Sequence, residues 1–149
     1  MVASIFCGLT LNAQKPSSPA YPHKLQTLGD HLRKRRLDLG LKQIEVAEIL
    51  GAHEMSIVNW EKNIKSPTPK FIPKIIELLG YNPLPDISSM PLAERITSYR
   101  KMCGFSQEEF AKIIGVDPGT LGKWENGKST PRKETMDILD TQMQSQLYA

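Results

Sequence analysis

The feature that most constrains this chain is an internal repeat: residues 28–67 align with residues 92–131 without a gap, at an offset of 64 positions. A period of this size that occurs only twice predicts two small tandem domains, because a solenoid needs three or more stacked repeats to bury its core. The identical positions include apolar, charged and turn-forming residues: Leu28/Leu92, Arg36/Arg100, Gly40/Gly104, Gln43/Gln107, Glu45/Glu109, Ala47/Ala111, Ile49/Ile113, Gly51/Gly115, Trp60/Trp124, Glu61/Glu125 and Pro67/Pro131.

The repeat divides the 149 residues into four segments. Three prolines within residues 14–23 favour an extended arm, because proline fixes its own φ and restricts the residue before it. Turn signals such as Asn82-Pro83 and Ser88-Ser89 mark a linker between the copies. We therefore expect an N-terminal arm, a first domain, a linker and a second domain over residues 1–23, 24–82, 83–90 and 91–149.

Apolar periodicity predicts helices throughout and gives no signal for a strand. Helix starts are marked by Thr27, by Ser106 with Glu109 three positions later, and by Asp117 before a proline. The expected class is all-α, with two domains of four to five helices each after a Pro-rich arm. The predicted helices span 28–39, 43–50, 54–62, 67–79, 91–103, 107–114, 118–126 and 131–144.

Composition describes a soluble globular protein, with 40% hydrophobic and 23% charged residues. No run approaches eighteen apolar residues, so no membrane segment is expected. The charge is uneven between the copies. Residues 23–83 hold ten Lys and Arg against seven Asp and Glu, which gives +3, whereas residues 84–149 hold eight against nine, which gives −1. A polyanion would therefore be attracted first to the first copy.

A fixed frame recurs in both copies: Gln, then Ala four positions later, Gly four after that, an aliphatic residue six further on and Trp three beyond it. Two short helices that cross steeply need a small residue at their approach, a turn residue tolerant of positive φ, and large apolar side chains that hold the second helix in the core. The frame therefore predicts a helix-turn-helix. It comprises Gln43, Ala47, Gly51, Ile57 and Trp60, and then Gln107, Ala111, Gly115, Leu121 and Trp124.

The residues 39–43, 60–63, 106–111 and 124–128 resemble helix-turn-helix domains of the phage-repressor and Cro (xenobiotic-response-element) type, in particular bacterial proteins that carry two such domains. The resemblance implies two lambda-repressor-like domains whose third helix enters the major groove of double-stranded DNA. It implies that Gln43 and Gln107 contact the DNA backbone. The family also includes members that bind proteins, so fold alone leaves the partner open.

The base-contacting positions that the resemblance implies differ between the copies. In the first copy, an acid can accept from cytosine, Asn can pair with adenine and Met can contact a thymine methyl. In the second copy, Pro118 and Gly119 offer almost no such chemistry. The implied DNA-binding positions are His53, Glu54, Met55, Ser56 and Asn59, and then Asp117, Gly119, Thr120 and Lys123.

Several of these positions have a simpler structural interpretation. Glu54 and Asp117 can cap their own helices, and His53 can be a turn residue that contacts phosphate. The spacing of both Trp residues from the aliphatic residue before them favours the core over stacking on bases. The basic run 33–36 is either a solvated helix face or a contact along phosphates.

The resemblance also implies a partly buried salt bridge between the first and third helices of each copy. Its members are Arg36 with Glu61 and Arg100 with Glu125. The alternative is two exposed charges that never meet, and such charges contribute little to stability. Retention of both charges in both copies favours the buried pair.

The predicted function is sequence-specific binding of double-stranded DNA by a transcriptional regulator or repressor that is not an enzyme and uses no cofactor. We expect it in the cytoplasm, without a membrane or small-molecule ligand, and with homodimers possible. Cys7 and Cys103 fit no zinc spacing, so no metal is expected. Two alternatives remain: a protein-interaction module, antitoxin-like or dimerising, whose second domain does not contact bases, and a ligand-sensing regulator.

Overall fold

A computed structural model describes residues 20–147, with side chains through residue 145, and this part of the chain contains eight α-helices and no strand. The all-α prediction is confirmed. Most of the predicted arm, together with Cys7, lies outside the described residues. Domain one comprises α1 (Leu28–Asp38), α2 (Gln43–Leu50), α3 (Glu54–Glu61), a short 3-10 helix (Pro69–Phe71) and α4 (Ile72–Leu79). Domain two comprises α5 (Leu92–Met102), α6 (Gln107–Ile114), α7 (Pro118–Glu125) and α8 (Lys133–Leu147).

Reciprocal capping bonds mark the starts of α1 and α6. The Thr27 hydroxyl accepts a hydrogen bond from the Asp30 amide (3.1 Å), and the Asp30 carboxylate accepts one from the Thr27 amide (3.0 Å). Ser106 and Glu109 form the same reciprocal pair at the start of α6. The hydrogen bond from the Ser106 amide lowers the pKa of Glu109. The two capping boxes therefore satisfy amide groups that would otherwise lack partners.

The last helix of domain one begins later than the sequence predicts. The predicted helix starts at residue 67, whereas the chain forms a 3-10 turn over Pro69–Phe71 and α4 begins at Ile72. Pro73 has no amide hydrogen and cannot donate to the carbonyl of Pro69. The Ile72 amide bonds to that carbonyl instead, in 3-10 geometry.

Each domain buries its own apolar core. Domain one buries Leu32, Val46, Ala47, Leu50, Ile57, Trp60, Ile75 and Leu79. Domain two buries Ile87, Ile96, Tyr99, Phe110, Ala111, Ile114, Leu121, Trp124, Leu139 and Met143. Ile87 belongs to the predicted linker, yet its side chain is only 4% exposed. The second half of that segment is therefore fixed to domain two.

The domains also contact each other, through the proline-containing start of α4 and the end of α5. Gly104 has a φ of +82°, and a Cβ placed on it would lie 3.0 Å from Pro73 Cγ and 3.3 Å from the Pro69 carbonyl oxygen. The Asn82 amide group donates to Met102 Sδ at 3.8 Å. We call this contact the junction. It holds the start of domain two against the end of domain one.

The closest helix approach in domain one depends on Gly29. A Cβ at this position would lie 1.9 Å from the Trp60 carbonyl oxygen, which is backbone and cannot move aside. We expect Gly29→Ala to destabilise domain one by about 1 to 3 kcal/mol or more, because overpacking forces α1 and α3 apart. Chemical denaturation of the full chain measures this loss.

Gly122→Ala is the matched control for that substitution. Gly122 lies within α7, and a Cβ there would be 4.0 Å from its nearest neighbour, Gln107 Nε2. Ala in place of Gly inside a helix is expected to stabilise by about 0.5 to 1 kcal/mol. An equal effect of the two substitutions would contradict the close approach at Gly29.

Candidate nucleic-acid interface

A buried ion pair joins α1 to α3 in domain one. Arg36 Nε donates to Glu61 Oε1 at 2.6 Å and Arg36 Nη2 donates to Glu61 Oε2 at 2.8 Å. The Glu61 side chain is 2% exposed and that of Arg36 is 13% exposed. Arg36 Nη1 also donates to the Leu41 carbonyl (3.1 Å), and Gln43 Nε2 donates to Glu61 Oε2 (2.9 Å). These bonds join α1, the start of α2 and the end of α3 into one unit.

Domain two repeats this network at every position. Arg100 donates to both carboxylate oxygens of Glu125, at 2.6 and 3.1 Å, and to the Phe105 carbonyl at 2.9 Å. Gln107 Nε2 donates to Glu125 Oε2 at 2.6 Å. The bidentate geometry fixes the orientation of both partners, because the planar guanidinium matches the carboxylate. Each third helix is therefore held in place by a buried charge network.

Gln43 and Gln107, the first residues of α2 and α6, have a role that sequence-based prediction missed. The family resemblance implies contact with the DNA backbone, whereas each glutamine uses one amide hydrogen to bond the buried carboxylate of the third helix. The sequence contains a signal for this role, because a Gln and a Glu recur at the same spacing in both copies, as Gln43 with Glu61 and Gln107 with Glu125. Contact with DNA through the second amide hydrogen stays a prediction.

Both tryptophans lie in the domain cores. Trp60 is 5% exposed and Trp124 is 6% exposed. The ring of Trp60 packs against Phe71, with 5.2 Å between the ring centroids. Neither ring is available to stack on a base, so both fix the third helix from beneath.

The exposed face of α3 carries varied side chains. His53, Glu54 and Met55 are exposed, with Met55 at 66%, whereas Ser56 and Asn59 are half-buried. His53 is the N-cap residue but its ring makes no capping bond, and Glu54 is the first residue of the helix rather than its cap. Their polar groups are therefore not used by capping. Met55 and Asn59 are four positions apart, so they lie on one side of the helix.

The corresponding face of α7 offers fewer groups. The Asp117 carboxylate accepts a hydrogen bond from the Gly119 amide at 2.8 Å and so caps the helix. A Cβ at Gly119 would lie 2.9 Å from Asp117 Oδ2, so a side chain there would displace this carboxylate from its capping position. Thr120 is half-buried and Lys123 is exposed. Pro118 occupies the first position of the helix and has no polar side-chain group.

The basic run of α1 is largely engaged within domain one. Lys34 pairs with Asp38 at 2.5 Å, and Arg35 Nε donates to the Leu78 carbonyl at 3.0 Å. Within the described residues, the Arg33 guanidinium makes no intramolecular polar contact. Most of this run therefore stabilises the domain rather than forming a continuous row of solvated charges.

Two other features concern alternative functions. Among residues 20–147, no group of three His, Cys, Asp or Glu side chains is placed to hold a metal, and no helix is long and apolar enough to cross a membrane. Burial raises the pKa of the Cys103 thiol. A thiol with a raised pKa is a weaker nucleophile at neutral pH, because less of it is thiolate.

The helix-turn-helix family HTH_3 matches the chain twice, over residues 32–85 and 96–144. Antitoxin PezA of Streptococcus pneumoniae serotype 4 is 38% identical over 48 residues, which are 32% of this chain and 30% of PezA. The uncharacterized HTH-type transcriptional regulator YazB of Bacillus subtilis (strain 168) is 36% identical over 50 residues, which are 31% of this chain and 72% of YazB. No solved structure matches.

These similarities agree with the repeated frame, the packed helix pairs and the buried charge networks. The chain spans less than a third of PezA, so the similarity to that protein concerns a single domain. The chain belongs to the HTH_3 family of Cro/C1-type helix-turn-helix DNA-binding regulators and carries two of its domains in tandem.

Proposed function

We propose that the chain is a sequence-specific transcriptional regulator or repressor, and that α3 discriminates bases in the major groove of double-stranded DNA. The observation that carries this proposal is the exposed face of α3. Its carboxylate, carboxamide and thioether groups suit cytosine, adenine and the thymine methyl respectively, and its imidazole adds a further polar group. The buried pair of Arg36 and Glu61 supports that face, and accurate recognition needs such rigid support.

Electrostatics supports the same assignment. Residues 23–83 carry +3 and residues 84–149 carry −1. Attraction to the phosphate backbone supplies essentially all of the non-specific affinity of proteins for DNA and a large share of the specific affinity, and it grows with the number of basic contacts. Domain one is therefore the better candidate for the main contact with DNA.

Domain two contributes in a different way under this proposal. Its α7 presents Lys123 and Thr120 but few groups that distinguish base pairs. Lys123, with Gln107 at the start of α6, suits phosphates instead. We infer that domain two positions the complex on the duplex and that domain one supplies most of the sequence discrimination.

This division of DNA contacts between the two domains predicts that substitutions in α3 reduce specificity and that substitutions in α7 reduce overall affinity. Asn59→Ala is expected to reduce discrimination between the selected operator and random DNA by about 1 to 3 kcal/mol, because it removes a base contact. Lys123→Ala is expected to weaken binding to all sequences alike and to lower the salt slope by about one, because it removes a phosphate contact. Fluorescence anisotropy at several salt concentrations measures both quantities. Uniform weakening by Asn59→Ala would contradict the assignment of α3 to base contacts.

A second candidate function is a protein-interaction role for domain two. The small number of polar groups on the α7 face favours it for domain two. The similarity of 48 residues of the chain to the antitoxin PezA adds support for an interaction role of the chain as a whole. Under this candidate, domain two binds a partner protein or a second copy of the chain rather than DNA. Hydroxyl-radical footprinting with the full chain distinguishes a DNA-positioning role of domain two from a protein-interaction role. Only the DNA-positioning role predicts that domain two protects DNA backbone beyond the segment that domain one contacts.

We propose a non-catalytic protein of the cytoplasm that uses no cofactor and binds as a monomer with two domains or as a homodimer. Family regulators are typically non-catalytic. Sedimentation velocity with and without the selected operator determines the number of chains in the complex.

A further inference from the structure

A cleft at the junction brings together residues from both domains. It has a volume of about 290 Å³ and lies beside the end of α3. Trp60, Asn63 and Lys65 line it from domain one, and Lys101 lines it from α5 of domain two. An isolated domain would lack part of this surface. The cleft therefore exists because the junction holds the two domains together.

The charges around the cleft have one sign. Lys65 and Lys101 line it, and no acidic residue does. Neither ammonium group is in an ion pair with any acidic side chain of residues 20–147, and both residues are exposed. Two uncompensated positive charges on a shared concave surface attract an anion, because concave walls concentrate the local field.

Asp30 follows the lining residue Gly29 in the chain, and its carboxylate is already compensated. The side-chain amide of Asn63 donates to Asp30 Oδ1 at 2.9 Å. Asp30 Oδ2 accepts hydrogen bonds from the backbone amides of Gln26 and Thr27. Burial opposes the charged form of Asp30, but these hydrogen bonds outweigh burial and lower its pKa. Asp30 therefore stays ionised, with both carboxylate oxygens hydrogen-bonded within domain one.

We propose that this junction cleft holds a phosphate group of the DNA backbone, with Lys65 and Lys101 contacting it from different domains. This assignment rests on the proposed function, which places α3 in the major groove, because the cleft adjoins the end of α3. Phosphates flank the groove on both sides, so an anion site at the end of a helix in the groove suits the backbone. The tandem arrangement then creates a DNA contact that neither domain has alone.

The test compares full-length variants on a selected operator duplex and a scrambled duplex over a range of salt concentrations. The double variant Lys65→Gln with Lys101→Gln is expected to weaken binding to both duplexes by the same factor and to lower the salt slope by about one. Lys65→Arg with Lys101→Arg is expected to restore the slope. Lys34→Gln removes the same charge from a lysine already paired with Asp38, and it is expected to leave the slope unchanged.

Two outcomes would overturn this inference while leaving the proposed function intact. In the first, the double glutamine variant has the same salt slope as the wild type and still prefers the operator over the scrambled duplex. The second outcome is measured by NMR: the full chain is titrated with inorganic phosphate, without DNA, and the backbone resonances of Lys65 and Lys101 are followed. A saturable shift that the double variant lacks, together with a DNA salt slope that the double variant leaves unchanged, would assign the cleft to a free phosphate compound. Failure of the wild-type chain to bind either duplex would instead reject the proposed function.

Discussion

Trp60→Ala is expected to unfold domain one rather than only to weaken DNA binding. Truncation of a buried Trp costs about 3 to 5 kcal/mol, because it leaves a cavity beneath the helix that the ring supports. Whole domains are stable by only about 5 to 15 kcal/mol, and a domain with so few buried side chains lies toward the lower limit. Trp124→Ala is expected to do the same to domain two.

The chain contains two tryptophans, one in each domain, which provides an internal reporter. In Trp60→Ala, the fluorescence of Trp124 reports the state of domain two while circular dichroism reports the helix lost from domain one. Trp60→Phe is the matched control, because a smaller aromatic ring keeps part of the packing against Phe71. Retention of the wild-type unfolding profile with loss of DNA affinity would instead place the ring at the interface.

Removal of one member of the buried ion pair is expected to cost more than removal of both. Arg36→Met leaves the Glu61 carboxylate buried without its partner, and such a loss costs about 3 to 5 kcal/mol. Arg36→Met with Glu61→Met replaces the pair with apolar groups and is expected to cost less than either single change. Some cost remains, because the Leu41 carbonyl and the Gln43 amide lose a partner.

Urea unfolding of the two single variants and the double variant gives the coupling energy of this pair. The same cycle on Arg100 and Glu125 is an independent replicate within the chain, since the distances from Nε to Oε1 are 2.6 Å in both domains. Additive losses in both cycles would show that the charges contribute separately and that the network does not hold the third helix.

Local signals account for what the sequence predicted well. The helices follow from apolar periodicity, and the starts at Thr27, Ser106 and Asp117 follow from side chains that bond amides two or three positions away. The core position of both tryptophans follows from their spacing after an aliphatic residue. Each inference needs only the chemistry of one turn or one helix face, and a single sequence contains that information.

Contacts between distant segments account for what the sequence missed. Gly29 aligns with Ala93, so the repeat gives no hint that a Cβ at Gly29 would lie 1.9 Å from a backbone carbonyl oxygen. Ile87 resembles any linker residue until the fold of domain two covers it. The junction at Gly104 depends on how two domains meet, and periodicity within either copy does not contain that geometry.

The central claim is that α3 discriminates bases and α7 does not. In vitro selection from random duplexes with the full chain tests it most directly. The comparison is between the wild type, a variant with His53, Glu54 and Met55 all changed to Ala, and a variant with Thr120 and Lys123 changed to Ala. All five positions are exposed or half-buried, so the folds should be retained.

We predict one enriched motif for the wild type, loss or alteration of that motif for the α3 variant, and the same motif with weaker overall binding for the α7 variant. The α3 positions supply the groups that distinguish base pairs, and the α7 positions supply contacts to phosphate. A motif that the α3 variant retains and the α7 variant loses would contradict the claim.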